Sequence, residues 1–208
     1  MMLAVLGATG LLGGAVDLTE DNATVTYEGS SDPFEFDGQN GHASFTIEVW
    51  VAFHTGGTFR PIVSNYFKNT PSTDDHRGYM LHWQGGADEL RFGRYQGNQV
   101  NGLASDVVGI DFAIESLPTA FHHVVATSDD TGPMQSQICI YLDGQKGQCE
   151  TSTIAMAPDN GGVDARDLGV NTSGSSTLDA IVDEVAIYDK ALEENDVLAH
   201  YCAGKDGR

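Results

Sequence analysis

Basic residues are scarce in this chain: ten Lys and Arg stand against 30 Asp and Glu, a formal net charge of −20. Phosphate is repelled by so acidic a surface, which excludes nucleic acid as a natural partner. A solvated acidic surface and an affinity for divalent cations fit the charge equally well. Long hydrophobic runs are also missing, since no segment reaches the roughly 20 apolar residues of a membrane-spanning helix. The opening "MMLAVLGATGLLGG" resembles the apolar region of an export signal. No basic residue precedes it, however, and it grades into glycine-rich sequence without a cleavage site. It reads as a linker-like start of the domain, residues 1–14, or as the start of a fragment. Zinc-type spacing of Cys and His is absent. The adjacent His122 and His123 point to opposite faces of a strand, so they do not chelate one metal together. "GATGLLGG" looks like a dinucleotide-binding fingerprint, but "AVDLTEDNATVTY" follows it as strand and turn, where a helix is required.

What the chain does have is a turn-rich globular composition: 25 glycines, with only 19 % charged residues. Its 208 residues suffice for one domain with a real core, and no linker or repeat divides residues 1–208. "SFTIEVWVAF" alternates cleanly, with Phe45, Ile47, Val49, Val51 and Phe53 on one face and Ser44, Thr46, Glu48, Trp50 and Ala52 on the other. Further strands are expected in "ATVTY", "FEF", "PIVSNYF", "GYMLHW", "ELRFGRY", "FHHVVATS", "QICIYL", "STIAM" and "IVDEVAIY", separated by turns such as "WQGGAD" and "SDDTGP". Short strands at regular spacing make an all-β sandwich or barrel. "LEENDVLAHYCAG" is the one convincing helix. Its acids crowd the first turn, Leu198 and Tyr201 are placed to dock, and Gly204 is placed to end it.

Three cysteines are present. Cys139 and Cys149 bracket "IYLDGQKGQ", which reads as a hairpin. With a three-residue loop, Asp143 to Gln145, Cys139 lies opposite Cys149, a register that permits a cross-strand disulfide; a one-residue slip would leave two reduced thiols. Cys202 is left over, either as a free buried thiol or paired outside this chain.

Carboxylates are the candidate chemistry. "GIDFAIE" carries Asp111 and Glu115, but Gly109 stands where a paired glycosidase carboxylate is needed, so the chain reads as non-catalytic. In "IVDEVAIY", period 2 sets Asp183 in a row with Ile181, Val185 and Ile187. A carboxylate in an apolar row needs compensation, either from a salt bridge or turn amides or from a hard cation that gathers loop carbonyls. His82, Trp83 and Tyr95 are polar-tipped aromatics near loop ends, the type that stacks on sugar rings, although core packing suits Trp83 better. The sequons at Asn22 and Asn171 admit glycosylation only in a suitable host.

Several pieces, in order, resemble the LamG-like (laminin G-like, concanavalin A-like) family: "SFTIEVWV", "FHHVVAT", "IYLDGQ", and "IVDEVAIYDKAL" followed by "VLAHYCAG". Together they span residues 10 to 204. Two departures stand out: the family's usual first strand is missing, and Phe121 sits where the family often has Trp. The resemblance implies a two-sheet antiparallel jelly-roll sandwich with one short C-terminal helix. It implies a secreted or cell-surface setting, within which the Cys139–Cys149 disulfide is the expectation. It further implies a non-catalytic module that binds a glycan or an extracellular protein, and a structural calcium (Ca2+) at Asp183, with Asp17 and Asp37 as outlying ligands. The alternatives are a structural module of an extracellular assembly and a divergent glycoside hydrolase. A missing first strand also implies an open sheet edge, covered by residues before Ala15 or by self-association with a second copy.

Overall fold

The alternation in "SFTIEVWVAF" is laid down as one nine-residue strand whose two faces are both buried, each against a different layer. A computed structural model describes residues 5–9, 14–19, 25–27, 36, 43–54, 58–69, 75–96, 104–112, 120–132, 134–155, 166–168 and 178–206. The strands are β1 (Val5–Thr9), β2 (Gly14–Asp17), β3 (Val25–Tyr27), β4 (Phe45–Phe53), β5 (Phe59–Asn69), β6 (Asp75–Gln84) and β7 (Glu89–Gln96), followed by β8 (Ala104–Asp111), β9 (His122–Gly132), β10 (Gln135–Leu142), β11 (Gln145–Ser152), β12 (Arg166–Leu168) and β13 (Ala180–Tyr188). One helix, α1 (Glu194–Asp206), closes the described chain. A seven-stranded sheet runs β1-β2-β13-β4-β9-β10-β11 and a six-stranded sheet runs β3-β12-β5-β6-β7-β8. All the pairings are antiparallel, and the chain is a two-sheet jelly-roll sandwich.

The core lies between the sheets. Phe45, Ile47, Val49, Val51 and Phe53 of β4 meet Tyr79, Leu81 and Trp83 of β6 and Leu90 and Phe92 of β7. Full burial of each such side chain contributes about 1.5–3 kcal/mol. Val5–Thr9, inside the stretch read as linker-like, pairs with β2, so residues before Ala15 do lie on that edge. At the other end of the sandwich the two edge strands cap one another. The Gly109 amide of β8 donates to Gln148 Oε1 of β11 at 2.9 Å, and the Thr153 amide donates to Asp106 Oδ2 at 3.1 Å. Edge groups satisfied in this way are unavailable to a further strand.

The β10–β11 hairpin holds the Cys139–Cys149 disulfide by a different route from the one expected. The turn is two residues, Asp143-Gly144, both at positive φ (50° and 74°), as a tight type I′ turn requires. Leu142 therefore pairs with Gln145, and a bulge between Cys139 and Tyr141 restores the opposition of the cysteines. Cys202 is free and exposed, not buried. The expected strand "STIAM" contributes only Ser152, and of "FEF" only Phe36 is described, outside any strand.

Candidate functional site

The polar face of β4 is covered by α1. Val197 of the helix packs with Val125, Cys139, Tyr141 and Leu192, while Leu198, expected to dock, is 47 % exposed. Gly204 does not end the helix, which runs on to Asp206. It lies against the Trp50 indole so closely that a Cβ there would collide with the ring. Trp50, His123 and Tyr201 in turn form a triangle of rings, with centroids 4.8 Å (Trp50–His123), 5.9 Å (Trp50–Tyr201) and 6.1 Å (His123–Tyr201) apart. The loop before the helix is pinned by Thr46, whose hydroxyl donates to Lys190 O and accepts from the Leu192 amide, at 2.8 and 2.9 Å.

Glu48 is the polar hub of this layer. Its carboxylate accepts from His123 Nε2 (2.8 Å, β9), Tyr188 Oη (2.8 Å, β13) and His200 Nδ1 (3.0 Å, α1). Burial alone would raise its pKa, but the bonds from His123, His200 and Tyr188 outweigh burial and lower it from 4.5 to about 2. The Tyr188 phenol is pushed up to about 12, by burial first and then by its bond to Glu48. Nothing in the sequence reading singled out Glu48. The available signal was Trp50 beside it on the nominally polar face, because a tryptophan there calls for a covering layer.

Asp183 lies on this same outer side, opposite Trp50, and not in an apolar row. A bulge between Asp183 and Ala186 inserts one extra residue, with Glu184 at a φ of 47°. Val182 before the bulge and Ile187 after it both face the core, opposite Val51 and Ile47, and Val185 is exposed. Asp183 Oδ1 accepts from the Glu184 amide at 2.9 Å, so the carboxylate caps the bulge. Asp17 Oδ1 is similarly engaged, by the amide and hydroxyl of Thr19 at 2.9 and 2.6 Å. Among the described residues no three His, Cys, Asp or Glu side chains gather in a way that would hold a metal. Asp37, Glu115, Asn22 and Asn171 fall outside the described residues.

The outer face of the six-stranded sheet has no helix over it among the described residues, and its strands β6 and β7 bring four polar side chains together, of which His82 is buried. His82 on β6 stands directly opposite Arg91 on β7, and Gln84 stands directly opposite Glu89. Arg91 Nε donates to Glu89 Oε2 at 2.7 Å, and Gln84 Nε2 donates to Thr58 O at 3.1 Å. Gly109 faces Arg91 from β8, and a Cβ there would come within 3.3 Å of Glu89 Oε2. His82 is buried against the Phe59 ring, and its Nδ1 has no hydrogen-bond partner among the described residues. Burial, and next the charge of Arg91, press its pKa down to about 4, so the ring is neutral at pH 7. Tyr95 is buried on the same face. Trp83 points the other way, into the core, with Nε1 donating to Phe112 O at 3.1 Å. It is therefore not a stacking platform. His122, at the rim between the sheets, is tied through Nδ1 to Asp143 Oδ2 at 2.9 Å, apart from His123 as strand alternation requires.

The architecture is thus a two-sheet sandwich with one outer face covered by α1. A family model described as the concanavalin A-like lectin/glucanases superfamily matches residues 28–198, and the chain belongs to that superfamily. Among curated protein sequences nothing matches significantly. Similar solved structures include the botulinum neurotoxin serotype G binding domain (TM-score 0.65, 16 % identity, covering 96 % of this chain and 44 % of that one). The binding domain of botulinum neurotoxin DC in complex with rat synaptotagmin II aligns at a TM-score of 0.58 and 14 % identity, covering 96 % and 42 %. The same domain in complex with SialylT aligns at 0.55 and 15 %, again covering 96 % and 42 %. This chain thus spans less than half the length of those structures, and at such identities the likeness is one of fold.

Proposed function

We propose that this chain is a non-catalytic binding module of an exported protein, presenting the outer face of its six-stranded sheet to a glycan or an extracellular protein. The observation that carries this reading is the asymmetry of the two outer faces. One is sealed by α1 over the Glu48 hub, and the other bears the block of His82, Gln84, Glu89 and Arg91. Superfamily membership and the partners named for two neurotoxin binding domains, one a protein and one SialylT, support it. The disulfide supports a secreted or cell-surface setting. Glycan and extracellular-protein arrays probed with the wild type and with a Gln84→Ala/Arg91→Gln variant test the reading. Binding that the variant loses supports it, and binding that the variant keeps puts the ligand elsewhere. A folded protein that binds nothing on either array points to a purely structural module.

Calcium belongs to the same proposal, with Asp183 as its side-chain ligand. A cation that binds only the folded state raises its stability by mass action. Excess EDTA should lower the melting temperature and calcium should restore it; identical melting in both would end the idea. The outer side of β1, which pairs with no strand among the described residues, is the edge this reading leaves to a second copy, and a chain that sediments as a monomer at every concentration would close it.

A glycosidase reading draws on one observation: Glu89 and Asp111 stand directly opposite on β7 and β8. Paired carboxylates are what glycoside hydrolysis needs. Glu89 is held by Arg91, however, which favours binding over catalysis. Release of reducing sugar that Glu89→Gln abolishes would favour the enzyme.

A further inference from the structure

We propose that the Cys139–Cys149 bridge is a redox latch on α1: an external dithiol that opens it loosens the helix from the seven-stranded sheet while the core between the sheets stays folded. The β10–β11 hairpin is the seat of α1 and meets the helix at three places. Cys139 and Tyr141 pack with Val197. Lys146 Nζ lies 3.5 Å from Glu194 Oε2. A Cβ on Gly144 in the turn would fall 2.9 Å from the Tyr201 ring and 3.1 Å from Leu198 Cδ1, so the helix rests directly on the turn backbone. The bridge ties the two strands of that seat together beneath Val197. What else holds the helix is thin. Of its 13 residues only Val197 and Gly204 are buried, and a helix of that length is marginal without packing. The Lys146–Glu194 pair is exposed and contributes little.

Exposure sets the course of the exchange. Cys139 is 3 % exposed, whereas Cys149 is half-buried on the edge strand β11. A thiolate of the dithiol therefore attacks Cys149 Sγ. The bond between the two Sγ atoms breaks, and Cys139 leaves as a thiolate that takes up a proton. The reagent's second thiol then attacks the mixed disulfide, releases Cys149 as a thiol and closes the reagent's own disulfide. Two electrons and two protons pass to the protein. Unbonded sulfurs keep van der Waals separation, so the two side chains move apart in a packed seat and press on Val197. The damage stays local because the cysteines belong to their own cluster. Ile138 and Ile140 of β10 sit in the core between the sheets, while Cys139, Tyr141, Leu192 and Val197 form a separate cluster outside it. Loosening of α1 uncovers the Trp50 ring and the Glu48 carboxylate.

The test is amide hydrogen exchange read by peptide mass, on the full chain with and without dithiothreitol. The chain carries Cys202→Ser, so that the exposed third thiol does not re-pair. Alkylation followed by mass measurement confirms that the bridge has opened. In the reduced protein the amides of α1 should exchange at least about tenfold faster, while those of β4 and β6 keep their rates. Glutathione, a monothiol, should leave its mixed disulfide on Cys149. Unchanged exchange in α1 after reduction would overturn the proposal. So would β4 and β6 speeding up together with α1, because the bridge would then hold the whole fold and not the helix. A bridge that dithiothreitol leaves closed in the absence of denaturant, or glutathione found on Cys139, would overturn it as well.

Discussion

Replacing Glu48 by Gln keeps the shape of the hub and removes its charge. The variant still offers an oxygen to one donor, but its NH2 group faces donors where the native carboxylate only accepts. A pKa lowered from 4.5 to about 2 means the folded chain favours the ionised form. At roughly 1.4 kcal/mol per pH unit, that preference is worth about 3 kcal/mol. The folded pKa lies below the unfolded one, so this contribution is complete above about pH 4.5 and is lost as pH falls toward 2. Total stability need not follow that curve, because protonating 30 acids also relieves the self-repulsion of a −20 chain. The difference between wild type and Glu48→Gln cancels that common term. Denaturant unfolding of both proteins should show a gap of about 3 kcal/mol at pH 7 that narrows to about 1 kcal/mol near pH 2.5. A gap that stays constant across the range would refute the reasoning, since it would show that packing and not charge sets the cost.

Three further substitutions probe the same layer. Cys139→Ala with Cys149→Ala should cost about 2–4 kcal/mol in denaturant unfolding, because the bridge closes a hairpin and Cys139 also packs under α1. Gly204→Ala gains up to about 1 kcal/mol of helix propensity but drives a methyl into an indole packed against two further rings, an overpacking cost of about 1–3 kcal/mol. The clash should win, and a lower melting temperature by calorimetry checks it. Asp183→Asn keeps an oxygen for the Glu184 amide and Asp183→Ala does not. In EDTA, Asn should therefore lose less than Ala, which loses about 1 kcal/mol for this bond alone; with calcium added, only the wild type should gain.

Most of the fold was legible because burial and alternation agree. β4, β6, β7, β9 and β10 all fall where the apolar pattern placed them. What escaped was carried by geometry that residue type does not encode. β1 and β2 come from glycine-rich sequence with little alternation, and β12 is three residues long. The cysteines were matched correctly through two compensating differences, a turn one residue shorter and a bulge one residue longer. A local register is thus underdetermined by sequence even where the tertiary pairing is not.

The site was harder, for a related reason. Strand alternation assigns side chains to two faces but does not say which face a later segment will cover. Thr46 and Glu48 look solvent-facing until α1, some 150 residues on, brings His200 down on them. Their burial is a property of the helix register, with Val197 and Gly204 turned inward where Leu198 was the more apolar choice. In β13 a single inserted residue moves Ile187 to the core side and leaves Asp183 outside. The bulge has no glycine to announce it, and Glu184 takes the left-handed backbone itself. Such a conformation is uncommon for a non-glycine residue and needs local support. Asp183, one position earlier, supplies it by accepting the Glu184 amide. The side chain that looked misplaced in an apolar row is the one that lets the row change faces, so its oxygen has a structural use whether or not a cation joins it.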